Sequence, residues 1–351
     1  MIVEDSQVVR EFLRLIIARD PRLEVVEVVR SGEEALALIP QVKPDVISLD
    51  IRLPGMNGLE VTKRVMAEHP TPIVVVSSDV EDEELKISMN SLRAGALAVV
   101  QKPVGLSHSE YDRLAESLCT KLFIMSQVRV IRQRYSPLSG PVVAAPPLAA
   151  VARSLTATPQ ALGIVASTGG PSAVVRVLSD LPPDFPAPII LVQHITPGFV
   201  QGFVSWLNDV LPDLEVVQAT HGAILKPGVV YVAPAESHTV YAAGGRLLLT
   251  NDPMLSGQKP SGTMLFRSMS KALGADGVGV ILTGMGEDGA IGLHEMFLAG
   301  ATTIAEHEST AVVNGMPGSA VRMGAASAVL PLPDIGPRLA ALFQPRSPST
   351  P

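Results

Sequence analysis

The chain has 351 residues, of which 47% are hydrophobic and 17% charged, with 29 glycines and 30 prolines. That length suggests two domains or slightly more, and that apolar share excludes wholesale disorder. Lys plus Arg number 27 against 34 Asp plus Glu, a formal charge of -7, which is the wrong sign for a protein that grips nucleic-acid phosphates. The single cysteine, Cys119, excludes an internal disulfide and a cysteine-built zinc site. Met1-Ile2-Val3-Glu4-Asp5 is acidic where a secretory signal would be basic, and no apolar run reaches membrane-spanning length. A cytoplasmic protein with no membrane insertion is expected.

In chain order, short apolar runs at residues 46–49, 73–76 and 97–100 read as buried strands, with helical spacing at 8–18, 33–39 and 59–68. A last helix is expected around 111–131. Between 136 and 159 the composition shifts to Ala, Pro and Ser, which reads as a semi-extended linker. Alternation resumes with strands expected at 162–166, 189–192, 230–232, 278–282 and 302–305. The fold class is α/β: two doubly wound, mostly parallel-sheet domains joined by a Pro/Ala-rich linker.

Parallel sheets place ligand sites beyond the carboxyl ends of their strands. In the first half those ends carry Glu4 and Asp5, then Asp50, Ser77 and Lys102 with Pro103. Crowded carboxylates repel unless a hard cation such as Mg²⁺ joins them, and an aspartate held there can attack phosphorus. Lys102 can pair with an added phosphoryl group, and Ser77 can sense it by hydrogen bonding. Each residue alone reads as an ordinary cap or surface charge. The set does not.

The second half carries a different chemistry. The run to Ala166 ends in Ser167-Thr168-Gly169-Gly170-Pro171, and a serine on a sharp strand-to-helix turn presents its hydroxyl beside free N–H groups. The next apolar run ends at Gln193-His194, and that at 278–282 ends in Thr283-Gly284-Met285-Gly286-Glu287-Asp288-Gly289. Ser167, His194 and Asp288 thus lie past the carboxyl ends of strands expected to be parallel neighbours. In that arrangement His194 takes the Ser167 proton and Asp288 holds the imidazole. Competing readings exist. The serine turn can be a helix cap, His221 and His238 are alternative histidines, and Asp288 can cap the helix running to Leu298. Gly284, Gly286 and Gly289 also fit a dinucleotide fingerprint with Glu306 at the next strand's end, although that reading leaves Ser167 and His194 unexplained.

Two sets of motifs resemble known families. Glu4-Asp5-Ser6, the run 45–50 ending in Asp50, Leu53-Pro54-Gly55-Met56-Asn57-Gly58, Ser77-Ser78 and Lys102-Pro103 resemble a response-regulator receiver domain. Ala166–Gly170, Gln193-His194 with Pro197-Gly198-Phe199, Tyr231–Pro234, Gly279–Gly286 with Asp288-Gly289, and Gly315-Met316-Pro317 resemble the catalytic domain of the CheB family, the chemotaxis protein-glutamate methylesterases. The resemblance spans nearly the whole chain in that family's order: receiver 1–122 with a shortened first strand, linker 123–159, methylesterase domain 160–344 and tail 345–351.

By that resemblance Asp50 is the phosphoacceptor, and Asp5, Asp50 and the Arg52 carbonyl hold Mg²⁺, with Glu4 reaching it through water. Ser167 is the nucleophile, His194 the base and Asp288 its orienting partner, with Thr168 and Met285 near the oxyanion site. The resemblance implies hydrolysis of γ-methyl-glutamyl esters on methyl-accepting chemoreceptors, deamidation of receptor glutamines, and a chemotaxis histidine kinase as phosphoryl donor. It also implies that the unphosphorylated receiver covers the esterase cleft. No cofactor is expected for ester hydrolysis. Three positions depart from the pattern: Val99 replaces the usual aromatic switch residue, Val165 replaces a glycine and is expected to crowd the serine turn, and Thr263 replaces an aspartate and is expected to alter substrate contacts. Two alternatives stand beside this reading, a phosphorylation-dependent binding regulator with a vestigial esterase site and an esterase of the broader α/β-hydrolase type.

Overall fold

The computed structural model describes residues 1–77, 82–102, 108–128, 130 and 159–344, in two compact units, Met1–Val142 and Val143–Pro351. Ser78, Pro103, nearly all of the 136–159 segment and the tail 345–351 lie outside the described residues.

The first unit alternates strand and helix throughout: β1 (Ile2–Val3), α1 (Gln7–Ala18), β2 (Val28–Val29), α2 (Gly32–Val42), β3 (Ile47–Asp50), α3 (Gly58–Glu68), β4 (Ile73–Ser77), α4 (Asp82–Arg93), β5 (Ala98–Gln101) and α5 (His108–Ser126). Its five strands run parallel in the order β2-β1-β3-β4-β5. β3 and β4 are buried at every residue, which is why they appear as unbroken apolar runs rather than alternating ones. Three of the helix starts have a local cause. Ser6, Ser31 and Asn57 cap α1, α2 and α3 by accepting from Val9, Glu34 and Glu60 N–H groups. Leu13, Ile16 and Ile17 then form the buried stripe of α1. β1 spans two residues and pairs on both sides, Ile2 with Val28 and Ser48 and Val3 with Val29 and Leu49. The boundary expected at 122 falls inside α5, because Leu122 and Met125 are both buried and carry the helix on to Ser126.

The second unit contains β6 (Ala161–Ala166), α6 (Gly170–Leu178), β7 (Ile189–Gln193), α7 (Val200–Val210), β8 (Glu215–Gln218), β9 (Val229–Val232), β10 (His238–Ala242), β11 (Arg246–Thr250), α8 (Gly262–Leu273), β12 (Gly277–Ile281), α9 (Ala290–Leu298), β13 (Thr302–Glu306), α10 (Met316–Arg322), β14 (Ala328–Leu330) and α11 (Leu332–Phe343). Seven strands form a parallel sheet in the order β14-β13-β12-β6-β7-β9-β8. From β6 the chain builds outward through β7, then returns to β12 on the other side. That reversal opens a crevice beyond the carboxyl ends of β6 and β12. β10 and β11 form a separate antiparallel hairpin, absent from the expected strands. Leu265, Phe266 and Met269 of α8 and Leu293 and Met296 of α9 join Val165 and Ile281 in one buried cluster beneath this crevice. The crevice is therefore framed by rigid elements.

Candidate active site and acidic cluster

In the second unit, Ala166 pairs with Gln193 across the β6–β7 ladder, so Ser167 and His194 follow at the next register step of adjacent strands, about 4.8 Å apart in a sheet. The Ser167 turn is fixed from three sides. Ser167 N–H donates to the Thr283 carbonyl at 3.0 Å, Gly170 N–H donates back to the Ser167 carbonyl at 2.9 Å, and Gln193 Nε2 donates to that same carbonyl at 2.8 Å. Gly169 takes φ of 77°, where a side chain would strike Val312. α6 starts there with Pro171 in its first turn and no side-chain cap; the Gly170 and Ala173 N–H groups donate to the Ser167 and Gly169 carbonyls instead. A Cβ on Gly284 would lie 2.7 Å from the Ser167 Cβ, which is why the facing loop has glycine there.

Asp288 is 2% exposed and accepts four hydrogen bonds. Its Oδ2 accepts from His194 Nε2 at 2.9 Å and Gly262 N–H at 2.7 Å, and its Oδ1 accepts from Ser261 Oγ at 2.7 Å and Thr263 N–H at 3.2 Å. Burial pushes the carboxyl pKa up, but the His194, Ser261 and Gly262 hydrogen bonds outweigh it and hold the value at about 2. The ionised Asp288 therefore fixes the His194 proton on Nε2. Nδ1 is left buried with no hydrogen-bond partner among the described residues, its lone pair uncommitted.

Several expectations need correcting. Asp288 does not cap α9, whose start at Gly289 has no side-chain cap; it sits instead at the N-terminus of α8. Val165 does not crowd the serine turn. Its side chain points to Gly262, where a Cβ would collide with it, so the missing side chain of one residue houses the extra one of the other. Thr263, 2% exposed, is not a surface contact: its Oγ accepts from Gly289 N–H at 2.8 Å and braces the Asp288 loop. The dinucleotide reading fails at Glu306, which is 1% exposed with Oε2 accepting from Thr283 N–H at 2.8 Å, and so cannot reach out to a ribose. Burial pushes the Glu306 carboxyl up. His221 is exposed against the Leu249 backbone, whereas His238 is fully buried.

Thr168 is half-buried, its carbonyl accepting from Thr283 Oγ1 at 2.9 Å, and Met285 is exposed on the facing loop. Ser261 was not legible as a site residue, although a serine just before a helical period is the ordinary N-cap signal.

In the first unit the expected residues converge. One carboxylate oxygen from each of Glu4, Asp5 and Asp50 lies within 4.8 Å of the others. Lys102 Nζ pairs with Glu4 Oε2 at 2.7 Å and Asp50 Oδ2 at 2.9 Å. Burial pushes the Glu4 and Asp50 carboxyls up, and the Lys102 ammonium opposes the shift in both. Ile51 and Arg52 N–H groups donate to Asp50. Ser77, at the end of β4, is buried with its Oγ unpartnered among the described residues. Val99 is half-buried on β5. Hard oxygen donors at that spacing, with Asp5 open to solvent, fit a divalent cation such as Mg²⁺.

A receiver-type sheet ending in clustered carboxylates, followed by a parallel α/β unit with Ser, His and Asp at its reversal point, defines a response regulator with an esterase-type output domain. Residues 1–109 match the response regulator receiver domain family and residues 162–339 match the CheB methylesterase family. The chain is 51% identical over 340 residues to protein-glutamate methylesterase/protein-glutamine glutaminase 2 of Paramagnetospirillum magneticum, covering 97% of this chain and 96% of that one. It is 45% identical over 334 residues to protein-glutamate methylesterase/protein-glutamine glutaminase 1 of Syntrophus aciditrophicus, covering 94% of each. The crystal structure of the Thermotoga maritima CheB methylesterase catalytic domain superposes with a TM-score of 0.51 at 35% identity, over 53% of this chain and all of that one. The chain belongs to the CheB methylesterase family, in its receiver-fused form.

Proposed function

We propose that this chain is a phosphorylation-controlled protein-glutamate methylesterase with protein-glutamine glutaminase as a second activity of the same site, serving adaptation in chemotaxis. The substrates are γ-methyl-glutamyl esters and glutamines on methyl-accepting chemoreceptors, and the phosphoryl donor is a chemotaxis histidine kinase. The compartment is the cytoplasm, where the lone Cys119 needs no disulfide partner. One observation carries the chemistry: Asp288 pins His194 through Nε2, leaving Nδ1 uncommitted on the strand next to Ser167.

Ser167 Oγ attacks the ester carbonyl carbon while His194 Nδ1 takes its proton. Among the described residues the resting geometry has no hydrogen bond to Nδ1, and such contacts often close only when substrate binds. The oxyanion is placed beside the Thr168 and Gly169 backbone N–H groups, since those of Ser167 and Gly170 are already bonded, with Met285 on the facing loop. Asp288 stabilises the imidazolium, which then gives its proton to the departing methoxide, releasing methanol. Water attacks the acyl-enzyme with His194 again as base, freeing the glutamate and Ser167. An amide follows the same path with ammonia leaving.

Asp50 accepts the phosphoryl group. Asp5, Asp50 and the Arg52 carbonyl would hold Mg²⁺, with Glu4 reaching it through water, and the ion would supply charge neutralisation at the incoming phosphoryl group. Lys102 stands ready to pair with the added charge and Ser77 to hydrogen-bond it.

Methanol release from methylated receptor tests the chemistry. Ser167→Ala should lower turnover by about 10⁴-fold or more while leaving the folded protein intact. Release undiminished in that variant would end the assignment of Ser167.

A further inference from the structure

His238 opens β10, is fully buried, and has both ring nitrogens engaged. Nδ1 accepts from the Ser261 N–H at 3.1 Å, and Nε2 donates to the Pro253 carbonyl at 3.0 Å. An N–H approaches only a ring nitrogen with a lone pair, and a carbonyl faces one that carries a proton. The two contacts together fix a neutral imidazole protonated at Nε2, with no nitrogen free to act as a base.

Ser261 links that ring to the acid of the site. It is fully buried and stands as the N-cap of α8 at φ -109° and ψ 130°. Its hydroxyl has one proton, and that proton goes to Asp288 Oδ1 at 2.7 Å while Oγ accepts from Met264 N–H at 3.4 Å. Its own N–H lies before the helix, where no intrahelical partner exists, and His238 supplies the acceptor. The next two N–H groups, of Gly262 and Thr263, both end on Asp288. A turn of the Ser261 backbone would therefore disturb three of the four hydrogen bonds that Asp288 receives, the fourth being that of His194 itself.

We propose that His238 is a positioning residue for the reaction: by holding the Ser261 N–H it sets the first turn of α8, and so the Asp288 carboxylate that orients His194. The proposal rests on the reading of Asp288 as the orienting acid. It makes the β10–β11 hairpin a working part of the esterase site rather than an appendage to the sheet. A space-filling residue would need only volume at this position, whereas a positioning residue needs an acceptor at the place of Nδ1.

Three variants of the full chain separate these roles. His238→Asn carries an amide oxygen near the place of Nδ1, His238→Gln carries its amide near Nε2, and His238→Leu carries neither. The leucine and glutamine variants should lose about a hundredfold in kcat for methanol release with KM little changed, and asparagine should recover most of that loss. Equal losses in all three, or a loss confined to KM, would overturn the proposal. Should a variant fail to fold, the wild-type protein still decides, because ring ¹⁵N spectra must show His238 as the Nε2–H tautomer; an Nδ1–H tautomer or an imidazolium would overturn it. Asp288→Asn measured alongside separates the two readings. If that variant keeps wild-type kcat, the triad reading and this proposal fall together. If it is inactive while the His238 variants are unaffected, this proposal alone falls.

Discussion

Asp288 is where charge, burial and the proposed catalysis meet in a single side chain. Its pKa is held near 2 against an ordinary value of 3.8, so the folded state binds this proton less readily than the unfolded chain. The stabilisation is complete above the unfolded value and is lost as pH falls from about 4 through 2. At 2% exposure, solvent screening takes little from it, and the shift corresponds to about 2 kcal/mol. Urea unfolding of the second unit, followed from pH 5 to pH 2, should show the wild type losing most of that amount relative to Asp288→Asn. Parallel curves for the two proteins would mean that the carboxylate is not held as the geometry indicates. Ser167, His194 and Asp288 stand out in the sequence as candidates because each follows an apolar run at a strand's carboxyl end. Ser261 does not, and His238 does so only as an alternative base, because their contacts reach 27 and 23 residues along the chain and depend on which strand packs where. Thr263 was misread for a related reason: sequence shows a missing carboxylate but not that the position is buried under the Asp288 loop.

At the scale of elements, the junction of β6 with the start of α8 explains a departure that looked unfavourable. Val165 and Gly262 share one space, and a Cβ on Gly262 would overlap the valine side chain. Gly262→Ala should therefore destabilise the second unit by about 1–3 kcal/mol through overpacking. Val165→Gly should also destabilise it, through lost burial and a weakened strand. The double variant should be less unstable than the two single effects summed, since the new methyl fills the vacated space. Simple additivity in denaturant melts would show that the two positions do not compensate. The strands of both parallel sheets were largely visible as short apolar runs, since burial on both faces erases alternation. The β10–β11 hairpin escaped because its apolar runs are short, at 240–243 and 247–249, and with Val240, Leu248, Leu249 and Thr250 only half-buried neither strand shows a clean period of two.

For the whole molecule, the central matter is that a phosphoacceptor unit and an esterase unit lie on one chain. Lys102 already bridges Glu4 and Asp50, so a phosphoryl group on Asp50 would compete with Glu4 for that ammonium and alter the charge pattern at the ends of β1, β3 and β5. An effect on turnover then requires only that the two states of the receiver differ in free energy of interaction with the rest of the chain. Asp50→Asn removes the proposed acceptor without touching Ser167, His194 or Asp288, and should leave basal turnover in place. The most direct measurement is methanol release from methylated receptor, with and without a small phosphoryl donor and Mg²⁺, for the wild type, Asp50→Asn and Ser167→Ala. Donor-stimulated release is expected in the wild type, unstimulated basal release in Asp50→Asn, and none in Ser167→Ala. Stimulation that persists in Asp50→Asn, or an absence of release from the wild type in either condition, would contradict that expectation.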